Sequence, residues 1–325
     1  MAFVIFSVIF LVAGVNPLIG YTKIFKFGFV SQAGLSFTIR NTAPLLFVTL
    51  AFILPLKAGL WNIGADGQYI MGALAVTGVS FAFSNLPSGI LIPLMMLGAV
   101  IFGGAWAAIP SFLKIKMGVN EIITTLLLNY VAVLLVLYLV VGGPWMGGGQ
   151  AESRIIPTAG QIPNIGDTII PYTIFIAIGL AILLFFLINK SRIGYEIRAC
   201  GSNPLAAKYA GISSLKISLI AMMVGGAIAA LGGFHQVSGV LNRLRPDVSP
   251  FPGWGYYGIV FGLIANKNFL LAILSTFFFS GMLTGGNILQ SELGMPFGVL
   301  EFFMGTLMIC LITGQFFYTH KIVIK

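Results

Sequence analysis

Residues 118–142 read GVNEIITTLLLNYVAVLLVLYLVVG, a run with one carboxylate at its start and an almost unbroken apolar body behind it. A helix of about 20 such residues crosses the roughly 30 Å hydrocarbon core of a bilayer, so a membrane span is expected over 119–142. Working outward, comparable apolar stretches place further spans near 2–19, 41–59, 67–84, 90–113, 170–189, 216–239, 254–266, 269–289 and 297–317, making about ten. The stretch at 254–266 is too short to cross comfortably and reads as tilted or partly re-entrant. The first run lacks the basic region of a signal peptide and reads as a retained helix. The expected fold class is therefore all-α: a polytopic membrane helix bundle forming one domain over 1–325.

Composition agrees. The chain is 58% hydrophobic and 8% charged, with a mean hydropathy of +1.03, against roughly 25% charged residues in an ordinary soluble domain. Its +9 formal charge comes from basic residues scattered between apolar runs, a topology signal and no nucleic-acid stripe. Cys200 and Cys310 have no CxxC spacing, and His235 and His320 form no ligand cluster, so no metal site and no disulfide framework are expected.

Orientation follows from Lys and Arg. With the 191–215 loop in the cytoplasm, eleven basic residues lie inside: Lys57, Lys114, Lys116, Lys190, Arg192, Arg198, Lys208, Lys216, Lys267, Lys321 and Lys325. Six lie outside: Lys23, Lys26, Arg40, Arg154, Arg243 and Arg245. Both termini are then cytoplasmic, although Lys23 and Lys26 pull the first helix the other way. The Gly- and Pro-rich stretch 144–171, carrying Glu152, Arg154 and Asp167, reads as the longest extracytoplasmic loop and a docking surface. Within the seventh span, Ala221, Gly225, Ala229 and Gly233 recur every four residues, the small-xxx-small device of membrane helix packing.

The 191–216 loop reads SRIGYEIRACGSNPLAAKYAGISSLK and specifies a short helix: Asn203 as N-cap, Pro204 at the first helical position, Gly211 as stop. Its exposed side is expected to be Ala206, Ala207 and Ala210, flanked by Lys208 and Tyr209. Such a helix either lies on lipid headgroups or packs against a partner.

Polar residues at membrane depth come next. Glu121, Thr125 and Asn129 are spaced four apart on one helix face, fitting either interhelical hydrogen bonding or a solute pathway. Asn62, Asp66 and Gln68 lie in a Gly-punctuated stretch and either contact solute or satisfy a structural turn. Phe251, Trp254, Tyr256 and Tyr257 form an aromatic cluster suited to an interfacial belt or to stacking a heterocycle, and Glu301 is a further carboxylate in an apolar span.

Three stretches together carry a resemblance. RACGSNPLAAKYAGIS, residues 198–213, is similar to the coupling loop of bacterial ABC importer permeases of the branched-chain amino acid, ribose and nucleoside group. GLWNIGADGQ, residues 59–68, resembles the GxxNIGxEGQ signature of the nucleoside-type members, with Asp66 where the family usually has Glu. GVNEIITT with Asn129-Tyr130 resembles their GVNEVxxTxxxNY stretch, and Pro252 to Asn268 more loosely their Gly-rich region. The basic tail usual before the first helix is absent.

The resemblance implies a permease subunit of an importer for nucleosides, with riboflavin or a simple sugar as alternatives, in a bacterial inner membrane. It implies coupling to an ABC ATPase through Arg198, Gly201, Asn203, Pro204, Ala206, Ala207, Tyr209 and Gly211. A tentative solute pathway falls on Asn62, Asp66, Gln68, Glu121, Thr125 and Asn129. The implied partners are that ATPase with its ATP and Mg, a second related permease, an extracytoplasmic solute-binding lipoprotein, membrane lipid and a small polar solute. No cofactor is expected on this chain, and no GxxxxGK[ST] loop occurs in it. Two other classes remain open: an ion-coupled secondary transporter, which would be expected to show inverted repeats, and a membrane enzyme, for which neither HExxH nor GxSxG is present.

Overall fold

A computed structural model of the chain describes residues 2–147, 149–250, 253–295 and 298–319. Phe251, Pro252, His320, Lys321 and Lys325 lie outside the described residues. The chain is helical nearly throughout, its sheet being one small hairpin, and six helices are long and apolar enough to cross a membrane, or seven if a bent N-terminal pair is one span. It divides into two compact units, residues 1–42 with 274–325 and residues 43–273.

The first unit opens with α1 (Ala2–Val12) and α2 (Pro17–Phe25), the latter running on as a π-helical turn, Lys26–Val30. The expected straight span at 2–19 is corrected here: the chain bends by 113° between the two helices. Gly14 takes a left-handed φ of 73°, and Asn16 then starts a new helix, its side chain accepting the Leu18 N–H at 2.9 Å ahead of Pro17. An Asn-Pro pair is a helix start, and an apolar average conceals it. Phe6, Phe10, Tyr21 and Phe303 form the aromatic core of this unit, with Phe6 and Phe303 centroids 4.2 Å apart. The unit also holds the first residues of α3 (Gln32–Lys57), the end of α12 (Phe269–Ser291), and α13 (Val299–Thr319) with Glu301.

The second unit holds the rest of α3, then α4 (Ala65–Ala82), α5 (Ser88–Met117), α6 (Glu121–Val140), α7 (Thr173–Lys190), α8 (Arg192–Ser202), α9 (Pro204–Tyr209), α10 (Ser214–Phe234), α11 (Trp254–Ile264) and the start of α12. Helix α10 continues as a π-helix, His235–Leu241, and forms the hub. A side chain at Gly225 would meet the Ala51 carbonyl and Pro55 of α3, one at Gly226 would meet Gly103 and Ala107 of α5, and one at Gly233 would meet Tyr69 and Ala73 of α4. The expected small-residue stripe is thus one of two small faces, and both let neighbouring backbones close in. Helix α4 is not among the six spans and buries most of its length, which suits an inner element walled by other helices.

Helix α11 has 11 residues, about 16 Å at 1.5 Å per residue, too short to cross alone, as expected. The 144–171 stretch contains an antiparallel hairpin, Met146–Gly147 with Gln150–Ser153, that short strands had not announced. Glu152 pairs with Arg243, and the Leu244 N–H donates to the Ser153 hydroxyl at 2.9 Å, so this stretch is fastened to the segment after α10.

Candidate functional site

A cavity of about 710 Å³ opens within the second unit, inside the 300–1,000 Å³ range typical of small-molecule sites. One wall is a face of α6: Leu126, Asn129, Tyr130 and Val133 line it at helical spacing i, i+3, i+4 and i+7. The first turn of α4 adds Asp66 and Ile70, the segment before α11 adds Pro246, Asp247 and Ser249, and α11 begins against it with Gly253 and Tyr256. The walls are mostly apolar and the polar groups few, the composition expected where a small solute must be desolvated and oriented.

Asp66 is the centre of the polar floor. It is buried, and its Oδ1 accepts the Ser249 hydroxyl at 2.6 Å and the Gly255 N–H at 3.1 Å. Ser249 in turn accepts the Trp254 N–H at 2.9 Å and so caps α11. The carboxylate therefore sits at the positive end of a helix. Glycine is required twice: a Cβ at Gly253 or Gly255 would lie 2.8 Å or less from Asp66, and Gly253 has a φ of 112°. Asp66 forms no ion pair among the described residues.

Asn129 ties the walls together. Its Oδ1 accepts the Gly67 N–H at 2.8 Å, and its Nδ2 donates to the Ile63 carbonyl at 3.0 Å and reaches the Tyr256 hydroxyl at 3.3 Å. Of the six residues expected along the pathway, Asp66 and Asn129 line the cavity and the other four do not. Asn62 and Gln68 pair amide to amide, 2.9 Å in each direction, and Asn62 also donates to the Ala51 carbonyl at 3.2 Å. Thr125 is back-bonded to the Glu121 carbonyl at 2.6 Å. Glu121 pairs with Lys114 at 2.5 Å across the α5–α6 turn. Sequence reading missed Ser249, Tyr130 and the apolar wall; counting three, four and seven residues around Asn129 and its neighbours would have found the α6 part.

The 191–215 loop holds two helices where one was expected, since α8 precedes α9. Asn203 caps α9 through the Leu205 and Ala206 N–H groups at 3.1 and 3.0 Å, Pro204 opens it, and Gly211 has a φ of 79°. One expectation is corrected: Ala207 is buried, 3% exposed. A two-turn helix must rest on something, and Ala207 faces inward while Leu205, Ala206, Lys208 and Tyr209 face out. Arg198 donates to the Ile188 carbonyl, and a Cβ at Gly201 would strike the Lys57 carbonyl, so both seat the loop on the helix ends beneath it. Phe251 of the aromatic cluster lies outside the described residues, Trp254 and Tyr257 are buried, and Tyr256 faces the cavity. Among the described residues no group of His, Cys, Asp and Glu is arranged to hold a metal.

Six membrane-capable helices, one of them walling a solute-sized cavity with a polar floor, define a multi-pass membrane protein suited to passing a small molecule. Residues 34–312 match the branched-chain amino acid transport system / permease component family, to which the chain belongs. It is an ABC importer permease. The chain is 35% identical to the glucose ABC transporter permease protein TsgB13 of Haloferax volcanii, over 95% of this chain and 83% of that one. It is 30% identical to the guanosine ABC transporter permease protein NupP of Bacillus subtilis, over 91% and 85%. With the nucleoside ABC transporter permease protein NupB of Lactococcus lactis it shares 26%, over 90% and 83%. No solved structure matches the chain significantly.

Proposed function

We propose that this chain is the membrane pathway for an uncharged, hydroxyl-bearing ring solute, a nucleoside, in an importer powered by a partner ATPase. The observation that carries the reading is Asp66: a carboxylate in no ion pair among the described residues, one oxygen satisfied by protein donors, on the wall of a cavity. Ribose hydroxyls are donors in search of such an acceptor, and the cavity's phenols and apolar wall suit a heterocyclic base. A sugar is the second reading, favoured by the likeness to a glucose permease over nearly the whole chain.

On this proposal the chain is one permease domain of about ten spans in the cell membrane, with 191–215 in the cytoplasm and 144–171 outside. The coupling surface is α9, led by Ala206 and Tyr209 with Arg198, Gly201, Asn203, Pro204, Ala207 and Gly211 shaping and seating it. ATP and Mg are held by the ATPase, a second related permease completes the pathway, and an extracytoplasmic lipoprotein delivers solute. The test is uptake of radiolabelled guanosine and of glucose by cells expressing the chain with the proposed partner ATPase and second permease. Uptake that survives a protonophore and fails on ATP depletion supports the reading; the reverse dependence, or no uptake of either solute, overturns it.

A further inference from the structure

Away from the solute cavity, a second and smaller hollow of about 130 Å³ lies where the end of α3, the end of α7 and the turn between α11 and α12 meet. Its charge is one-sided. Lys57 and Lys267 both line it, and Arg198 and Lys267 stand close enough to repel the Lys57 ammonium. Among the described residues none of these three cations forms an ion pair. The face of Phe269 lies 5.6 Å from the Lys57 Nζ.

The turn that brings Lys267 there is itself unusual. Asn266 and Lys267 are consecutive non-glycine residues with φ of 49° and 58°, a conformation that costs free energy and persists where something is gained from it. Asn268 then caps α12, accepting the Leu270 and Leu271 N–H groups at 2.9 and 3.3 Å, which leaves its own amide N–H₂ free to donate. The hollow also adjoins lipid-type surface: Ile182, Phe186 and Asn189 are exposed at three- and four-residue spacing on α7, an apolar stripe leading to the polar rim.

We infer that this hollow binds the phosphate of an anionic membrane lipid, with Lys57 and Lys267 holding the headgroup and one acyl chain lying along Ile182 and Phe186. Cations gathered without a carboxylate call for an anion, and basic pockets between membrane helices on the lysine-rich side are suited to anionic headgroups. A free phosphate satisfies the cations but makes no use of the apolar stripe. Asn189 donates one amide hydrogen to the Phe185 carbonyl at 2.9 Å and keeps its second N–H and its carbonyl oxygen for the headgroup.

The test uses the full chain purified in a neutral detergent, with native mass spectrometry after addition of phosphatidylglycerol, phosphatidylcholine or inorganic phosphate. Phosphatidylglycerol should be retained in preference to phosphatidylcholine. Lys57→Gln and Lys267→Gln should each lower its retention roughly fivefold, the effect of one cation near an anionic headgroup. Lys57→Arg should retain it, which separates lost charge from lost fold, and Lys26→Gln in the other unit should change nothing. Retention unaltered in the Lys57→Gln, Lys267→Gln double variant overturns the site. Binding of inorganic phosphate with the same sensitivity to the variants, and no lipid preference, overturns the lipid assignment in favour of a free anion.

Discussion

Replacing Asp66 by Asn separates a solute contact from a structural cap, because a solute contact predicts weaker transport at nearly level stability. The change keeps size and shape and keeps one carbonyl oxygen for Ser249 and Gly255, which now donate at 2.6 and 3.1 Å. A hydrogen bond to a charged acceptor contributes about 1.5–3 kcal/mol and one to a neutral acceptor about 0.5–1.5. A solute hydroxyl bound to the second oxygen therefore loses about 1–1.5 kcal/mol, or five- to tenfold in KM. By the same difference the protein loses about 2–3 kcal/mol from its two internal bonds, and it is relieved of a carboxylate that is 6% exposed and in no ion pair among the described residues. That relief is of order 1–3 kcal/mol, so stability should stay roughly level. The assay pairs guanosine uptake kinetics with thermal unfolding of the purified variant in detergent. An unchanged KM together with a Tm lower by several degrees would show that Asp66 only caps α11 and would sink the solute-contact reasoning.

Four further outcomes follow from particular side chains. Ala206→Asp should leave membrane abundance normal and abolish co-purification of the ATPase, whereas Ala207→Asp, placing a charge at a buried position, should cost about 3 kcal/mol and lower abundance in Western blots. Glu121→Gln removes an ion pair whose lysine is 38% exposed, worth about 0–1 kcal/mol; uptake should persist, and its loss in an abundant variant would restore Glu121 to the pathway. Gly226→Leu forces a side chain against Gly103 and Ala107 and should destabilise by about 1–3 kcal/mol or more, read as a lower Tm. Under impermeant thiol labelling of intact cells, Gln150→Cys should react and Ser202→Cys should not, and the reverse would invert the proposed orientation.

Much of the helical framework was legible because apolar length in a bilayer is a strong, local constraint: α6 begins and ends within two residues of the expected span. The α9 helix was legible for a similar reason, its cap, first proline and glycine stop all lying within nine residues. What failed was contextual. The bend at Gly14 and Asn16 was hidden because averaging hydropathy discards capping, and the inward turn of Ala207 was hidden because a helix written alone has no inside. The amide pair of Asn62 and Gln68 shows the same limit: polar residues near a membrane satisfy one another as readily as they meet solute.

The cavity's chemistry lies furthest from any local pattern, since Asp66 meets residues 183 and 189 positions along the chain. That distance shapes selectivity. Gly253 and Gly255 let the start of α11 press onto Asp66, so Oδ1 is consumed by the protein and no hydrogen bond reaches Oδ2 among the described residues. Asn129 is consumed likewise by Gly67, Ile63 and Tyr256. The floor thus offers an acceptor to a neutral hydroxyl, while Asp247 lines the same cavity with a second negative charge. Asp247 is paired with Arg245 at 3.0 Å, whereas Asp66 is in no ion pair among the described residues, so an anion entering the cavity meets a like charge. On the proposed reading, the acceptor that takes a nucleoside's hydroxyls repels the phosphate of its phosphorylated form.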